Sequence, residues 1–199
     1  MNIDLLKAKY KKLVPLDIPK FHMELSYVRD KLGSVSINKM PMLIYSKNKR
    51  NALYYYLCIK HSIAEDRLLD YAITTGQTYI DQHFMNDDKD KTLYESLRYS
   101  DIAFISLSSF DYTNQYLESL LIELIEFRKN YDKVTIITFD IIDAFSYERM
   151  TAKLHNYFSS SSYPIINLVD VKKEGKEAFA NEHSEASKSP QPKKKGRIK

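Results

Sequence analysis

The chain has 199 residues, 44% of them hydrophobic, and a formal net charge of +4, which suits one domain with a real core and barely leaves room for two. Sixteen tyrosines and nine phenylalanines against four glycines describe a compact, tyrosine-rich domain and not a flexible one. No apolar run reaches the about 18–20 residues of a membrane span, the start MNIDLLKAKYKK lacks a signal peptide's apolar middle, and the single cysteine, Cys58, excludes a disulfide framework or a cysteine-rich zinc site; a soluble cytoplasmic protein is expected.

In chain order, Asp4–Lys12 reads as a short basic helix, broken by Pro15 and Pro19. Asp30–Lys39 contains Gly33 and little periodicity, so it reads as a connector. Met42–Tyr45 is a first apolar run of strand length. Leu53, Tyr56 and Leu57 then fit one helix face. Tyr71–Thr74 is a second strand. After it "MNDDKDK" holds Asp87, Asp88 and Asp90, three carboxylates that could hold a hard cation or simply line a solvated loop. Ile102–Leu107 is a third strand, followed by Leu117, Leu120, Leu121, Leu124 and Phe127 at strong helical spacing. Val134–Thr138 is a fourth. Phe145, Met150, Leu154 and Tyr157 suggest a helix less cleanly, Ser159–Ser162 a loop, and Ile165–Val169 a fifth strand.

Strands alternating with helices predict βαβ units with right-handed crossovers. Runs without internal alternation predict strands covered on both faces. The expectation is an α/β fold: a five-stranded, mostly parallel sheet flanked by helices. Residues 1–40 form a basic lead-in, 41–171 the α/β domain, and 172–199 a disordered basic tail. From Lys172 onward nine Lys/Arg face four Glu, a net of +5, so the other 171 residues stand at −1 and the basic character belongs to the tail.

The stretch "MLIYSKNKRNALYYY" has the form of a strand, a polar loop and a helix, where a phosphate-binding loop would sit. Such a loop needs glycines to wrap its backbone round phosphate, a lysine for charge and a hydroxyl for magnesium. Here the glycine positions are Ser46, Lys49 and Asn51, the lysine position is Ala52 and the hydroxyl position is Leu53. Lys47, Lys49 and Arg50 leave three cations in the loop. An ordinary βα turn and a non-standard nucleotide loop both remain open. The third strand should end in metal-holding acids in a nucleotide hydrolase, yet it ends in Ser106, Leu107, Ser108 and Ser109. No G-x-S-x-G elbow makes these serines nucleophiles. His22, His61, His83, His155 and His183 lack ligand spacing.

The joint order of these segments resembles the AAA+ core of bacterial replicative helicase loaders of the DnaC/DnaI type and of IstB-like transposition ATPases. "LDIPKFHMEL" (Leu16–Leu25) is similar to that family's Ile-Pro lead-in, "YAITTGQTYIDQHF" to its second strand and helix, "SLRYSDIAFISLSSF" to its acidic-strand region and "YPIINLVDV" to its fifth strand. The likeness spans residues 14–171. It implies a P-loop-like three-layer core with a degenerate nucleotide site at Ser46, Lys49, Arg50, Asn51, Ala52, Leu53, Ser106 and Leu107. In "LIEFRKNYDKVTIITFD" it puts Arg128 at an arginine position, a candidate for interaction, and Thr138 at the sensor position. The arginine that would act on a neighbour's nucleotide has only a poor match, Arg149.

Basic clusters occur at Lys7, Lys9, Lys11 and Lys12, with Tyr10 among them, and at Lys193, Lys194, Lys195, Arg197 and Lys199. They suit phosphate backbones, and nearby tyrosines could stack on bases; they also suit plain solubility. The resulting expectation is a catalytically inactive AAA+-like binding protein of DNA replication, of a size that suits a phage or mobile element. It would need no cofactor and no metal, and would contact a replicative helicase, a helicase loader or a sibling AAA+ protein to assist or inhibit loading. The alternatives are a divergent nucleotide hydrolase with a lysine-rich loop and a non-specific DNA-binding accessory protein.

Overall fold

The computed structural model describes residues 2–35, 39–46, 48–84, 91–108, 111, 114–140 and 152–169. In order these form α1 (Ile3–Lys9), a 3-10 turn (Lys11–Leu13), α2 (Ile18–Leu32), β1 (Met42–Ser46), α3 (Arg50–Ala64), β2 (Tyr71–Thr75), α4 (Gly76–Phe84), α5 (Lys91–Tyr99), β3 (Ile102–Leu107), α6 (Gln115–Lys129), β4 (Val134–Asp140), α7 (Ala152–Ser160) and β5 (Ile165–Asn167). Phe145 and Met150, the acidic cluster Asp87, Asp88 and Asp90, and the tail from 172 onward lie outside the described residues.

The five strands make one sheet in the order β2-β3-β4-β1-β5, and every neighbouring pair is parallel. The α/β expectation therefore holds. β1 and β3 are buried along their whole length, as continuous apolar runs require of central strands. β2 instead alternates between buried and exposed residues, and β5 is only partly buried, because these are the two edges. Successive residues of β1 feed opposite cores. Met42 and Ile44 join α1, α2 and α3 through Leu6, Phe21, Val28 and Leu53. Leu43 and Tyr45 join α4 to α7 through Tyr79, Leu97, Leu121 and Phe158. The lead-in is thus built into the same core as the sheet.

Two helices depart from the sequence expectation. α2 occupies much of the lead-in and runs through Asp30–Leu32, which had read as connector. Pro19 starts this helix and does not break it, since it lies in the first turn, where a missing N–H costs nothing, and the Asp17 side chain accepts the Lys20 N–H at 3.1 Å. At the other end Lys60 reaches over from α3 and donates to the carbonyls of Leu32 at 2.9 Å and Val35 at 2.8 Å, satisfying groups that a helix end leaves open. Lys60→Met should cost about 1–2 kcal/mol in urea unfolding, with no change in activity-independent properties such as hydrodynamic size. α5 is the second departure: its periodic signal is only Leu93, Tyr94 and Leu97.

His61, in the last turn of α3, is 3% exposed, and its Nε2 has no hydrogen-bond partner. Burial, with Lys60 beside it, holds the imidazole down at about 4 instead of 6.5. The native state therefore keeps it neutral, while the unfolded chain protonates first. Stability is intact above about pH 6.5 and falls as the pH drops toward about 4, by roughly 3 kcal/mol. Urea midpoints at pH 7 and pH 4.5 read this directly, and His61→Leu should flatten the slope. Asp101 acts in a different window. Partial burial opposes ionisation, but hydrogen bonds from Arg67, Lys133 and the Asp70 N–H hold its carboxyl well below the usual range, so its contribution is lost only in stronger acid.

Among the described residues no helix is long and apolar enough to cross a membrane, and no group of three or more His, Cys, Asp or Glu could hold a metal ion.

Candidate functional site

In an open parallel sheet the ligand crevice lies beyond the carboxyl ends of the strands, where the chain changes direction. Here that place is the end of β1, which sits between β4 and β5 and sends its chain into α3. The register puts Ser46 opposite Asp140 and Ser106 opposite Thr138. The structure thus gathers Ser46, Arg50, Ser106 and Thr138 at one end of the sheet, as the sequence analysis grouped them.

What fills the crevice is protein. Arg50, the first residue of α3, donates from Nη1 to Ser106 Oγ at 2.7 Å. One turn on, Tyr54 is 3% exposed and stacks on Phe104 of β3, with centroids 4.1 Å apart and planes at 25°. Its hydroxyl lies 2.7 Å from Thr138 Oγ1. Thr138 itself donates to the Ile105 carbonyl at 3.4 Å, so Tyr54 is the donor in the first bond. Thr138 is therefore bonded internally on both sides. Lys49 Nζ sits 4.6 Å from the centre of the Tyr27 ring, and the Tyr27 hydroxyl donates to the Leu168 carbonyl at 2.9 Å. Two of the three loop cations are thus engaged by the fold, and Lys47 lies outside the described residues.

Ala52 and Leu53 are fully buried in the core beneath α3, where a phosphate lysine and a magnesium hydroxyl would face the ligand. Asn51 is exposed. Asn48 takes φ 55°, the left-handed region that asparagine tolerates better than most residues, so the turn is made without glycine. Ser46 Oγ is buried and makes no hydrogen bond. Outside the loop an open cleft of about 550 Å³ is lined by Asp17, Lys20, Glu24, Asn48, Arg50 and Asn51 among others, and Asp17 and Glu24 bring negative charge beside the cations.

β3 itself ends without acids: Leu107 is buried in the core. Asp111 comes four residues later and is 7% exposed. Its carboxylate is engaged, accepting the Ser108 N–H at 2.6 Å and the Ser108 hydroxyl at 2.9 Å. It packs so closely on α4 that a Cβ at Gly76 would meet it at 2.9 Å.

Two expectations need correcting. Arg128 is no interaction residue in this chain: it is fully buried at the opposite, amino-terminal end of the strands. It donates to Thr135 Oγ1 at 3.0 Å and to the carbonyls of Val134 at 2.6 Å, Arg98 at 3.1 Å and Leu97, and burial lowers its guanidinium to about 10. Tyr10 cannot stack on bases, because it too is fully buried, its hydroxyl donating to the Leu69 carbonyl at 3.0 Å. Lys7, Lys9, Lys11 and Lys12 are exposed, with Lys9 bonded to Asp70. Lys193, Lys194, Lys195, Arg197 and Lys199 lie outside the described residues. Tyr54 is the residue the sequence analysis missed; the signal was the run Tyr54-Tyr55-Tyr56 in the first turns of the helix after the loop.

Taken together, an all-parallel five-stranded sheet, helices on both faces and a crevice at the ends of β1, β3 and β4 define a three-layer α/β core. The chain is similar in fold to domain III of the Thermotoga maritima replication initiation protein DnaA, at 14% identity and TM-score 0.49, over 92% of this chain and 76% of that one. It is similar to the DnaC helicase loader at 17% identity and TM-score 0.45, over 73% of this chain and 88% of the loader. It is also similar to DnaA from Aquifex aeolicus at 12% identity and TM-score 0.47, covering 81% of this chain and half of that protein's length. No protein-family model matches the sequence, and no curated protein matches it.

Proposed function

We propose that this protein is a nucleotide-independent AAA+-like binding module of DNA replication, which contacts a replicative helicase, a helicase loader or a sibling AAA+ protein. The observation that carries this reading is the closure of the crevice: Tyr54 on Phe104 and Thr138, Arg50 on Ser106, and Lys49 on Tyr27. A phosphate site needs converging backbone N–H groups and uncommitted cations, whereas here Tyr54 takes up space at the strand ends and Arg50 and Lys49 are drawn to Ser106 and Tyr27. The replication setting rests on the sequence resemblance to helicase loaders.

The experiment is affinity capture with the full chain, run with and without ATP and magnesium, and read by mass spectrometry. Replication helicase or loader proteins should be enriched to the same extent in both conditions. Capture that requires ATP, or capture without any replication protein, contradicts the reading.

A further inference from the structure

On the other face of the sheet, α5 and α6 enclose a shallow groove of about 260 Å³. Its apolar lining comes from Tyr94, Leu120, Leu124 and Phe127, with Tyr79 of α4 closing one side beside His83. The apolar surface continues past the groove: Tyr99 and Tyr131 are 51% and 56% exposed and pack on Phe127 with centroids 5.8 and 4.8 Å away. Exposed tyrosines packed on a phenylalanine that an arginine also covers are the composition of an interface core, which an ordinary solvated helix face lacks.

The arginine is Arg98 of α5. Its guanidinium lies 3.9 Å over the Phe127 ring and 5.3 Å from that of Tyr94. Stacking uses the flat face and leaves the in-plane N–H donors available, and no described residue accepts from them. Across the groove stands Glu123 of α6, exposed, with no hydrogen bond or ion pair to a described residue. Its neighbour Glu126 is already engaged by Tyr157 and Lys129. The groove thus has an apolar floor, one lip with an unspent positive charge and one with an unspent negative charge.

We infer that this groove docks an amphipathic helix of a partner protein, apolar at i, i+3/i+4 and i+7, with Lys or Arg on the flank that meets Glu123 and Asp or Glu on the flank that meets Arg98. The two lips fix the direction in which the helix lies, since reversing it brings like charges together. Single-stranded nucleic acid fits less well: aromatic rings would stack on bases, but Glu95, Glu123 and Glu126 are exposed on the two helices and repel phosphate. This inference stands whether or not the crevice takes nucleotide.

The test is selection on the full chain from a phage-displayed library of helical peptides with randomised apolar and charged positions. The enriched consensus should show helical apolar spacing with basic residues on one flank and acidic residues on the other. Its synthetic peptide should bind E123K and R98E about tenfold more weakly than the parent protein, and exchanging the peptide's charges on the matching flank should restore binding. Glu123 is exposed and Arg98 half-buried, neither in the core, so folding should be kept, which circular dichroism checks. Failure to enrich any peptide, enrichment of peptides indifferent to E123K and R98E, or displacement of the peptide by a dT15 oligonucleotide would each overturn the proposal.

Discussion

Arg128→Met should lower the unfolding free energy by about 3–5 kcal/mol, a large part of what holds an ordinary domain together. The side chain has no exposed surface, and its donors satisfy Thr135 and the carbonyls of Leu97, Arg98 and Val134. Those carbonyls lie at the end of α5 and the start of β4, and buried carbonyls need donors. Methionine fills much of the volume but returns none of the hydrogen bonds, so several buried acceptors are left open. Arg128→Lys should recover little, because one ammonium cannot reach acceptors arranged round a planar fork. Urea unfolding with both variants measures this; a loss below about 1 kcal/mol would show that the carbonyls find other donors.

Tyr54→Ala should cost about 3–5 kcal/mol, and Tyr54→Phe only about 1 kcal/mol. The difference separates ring from hydroxyl. The ring is 3% exposed and lies flat on Phe104, so its removal leaves a cavity at the centre of the molecule. The hydroxyl bonds Thr138. Tyr54→Ala should still not bind ATP with magnesium, since Ala52 and Leu53 remain where the lysine and hydroxyl are needed. Thermal or urea unfolding of the two variants, followed by a nucleotide titration of Tyr54→Ala at low temperature, checks both halves. Equal losses from Ala and Phe would remove the ring from its structural role.

The strands were legible because a buried parallel strand must be apolar on both faces, as Leu43-Ile44-Tyr45 and Ala103-Phe104-Ile105 are. Their order was not: nothing in the residues of β1 says that it lies between β4 and β5. α2 was hidden because Pro19 reads as a breaker until Asp17 is seen to cap the helix around it. In the site, the loss of glycines and of the loop lysine could be read directly. The closure could not, because Arg50 meets Ser106 and Tyr54 meets Thr138 across 56 and 84 residues of chain, and only the sheet register brings them together. Arg128 shows the opposite error. The resemblance placed it at a position for interaction, whereas this side chain is held inside by carbonyls that sequence does not display.

The most direct measurement is equilibrium titration of the full chain with a fluorescent ATP analogue and magnesium, beside Lys49→Ala and Arg50→Ala variants. A crevice already stoppered by its own tyrosine and arginine predicts a flat, unsaturable signal that is the same in all three proteins. Saturable binding that disappears when either cation is removed would mean that the loop still cradles phosphate, and that the protein uses nucleotide after all.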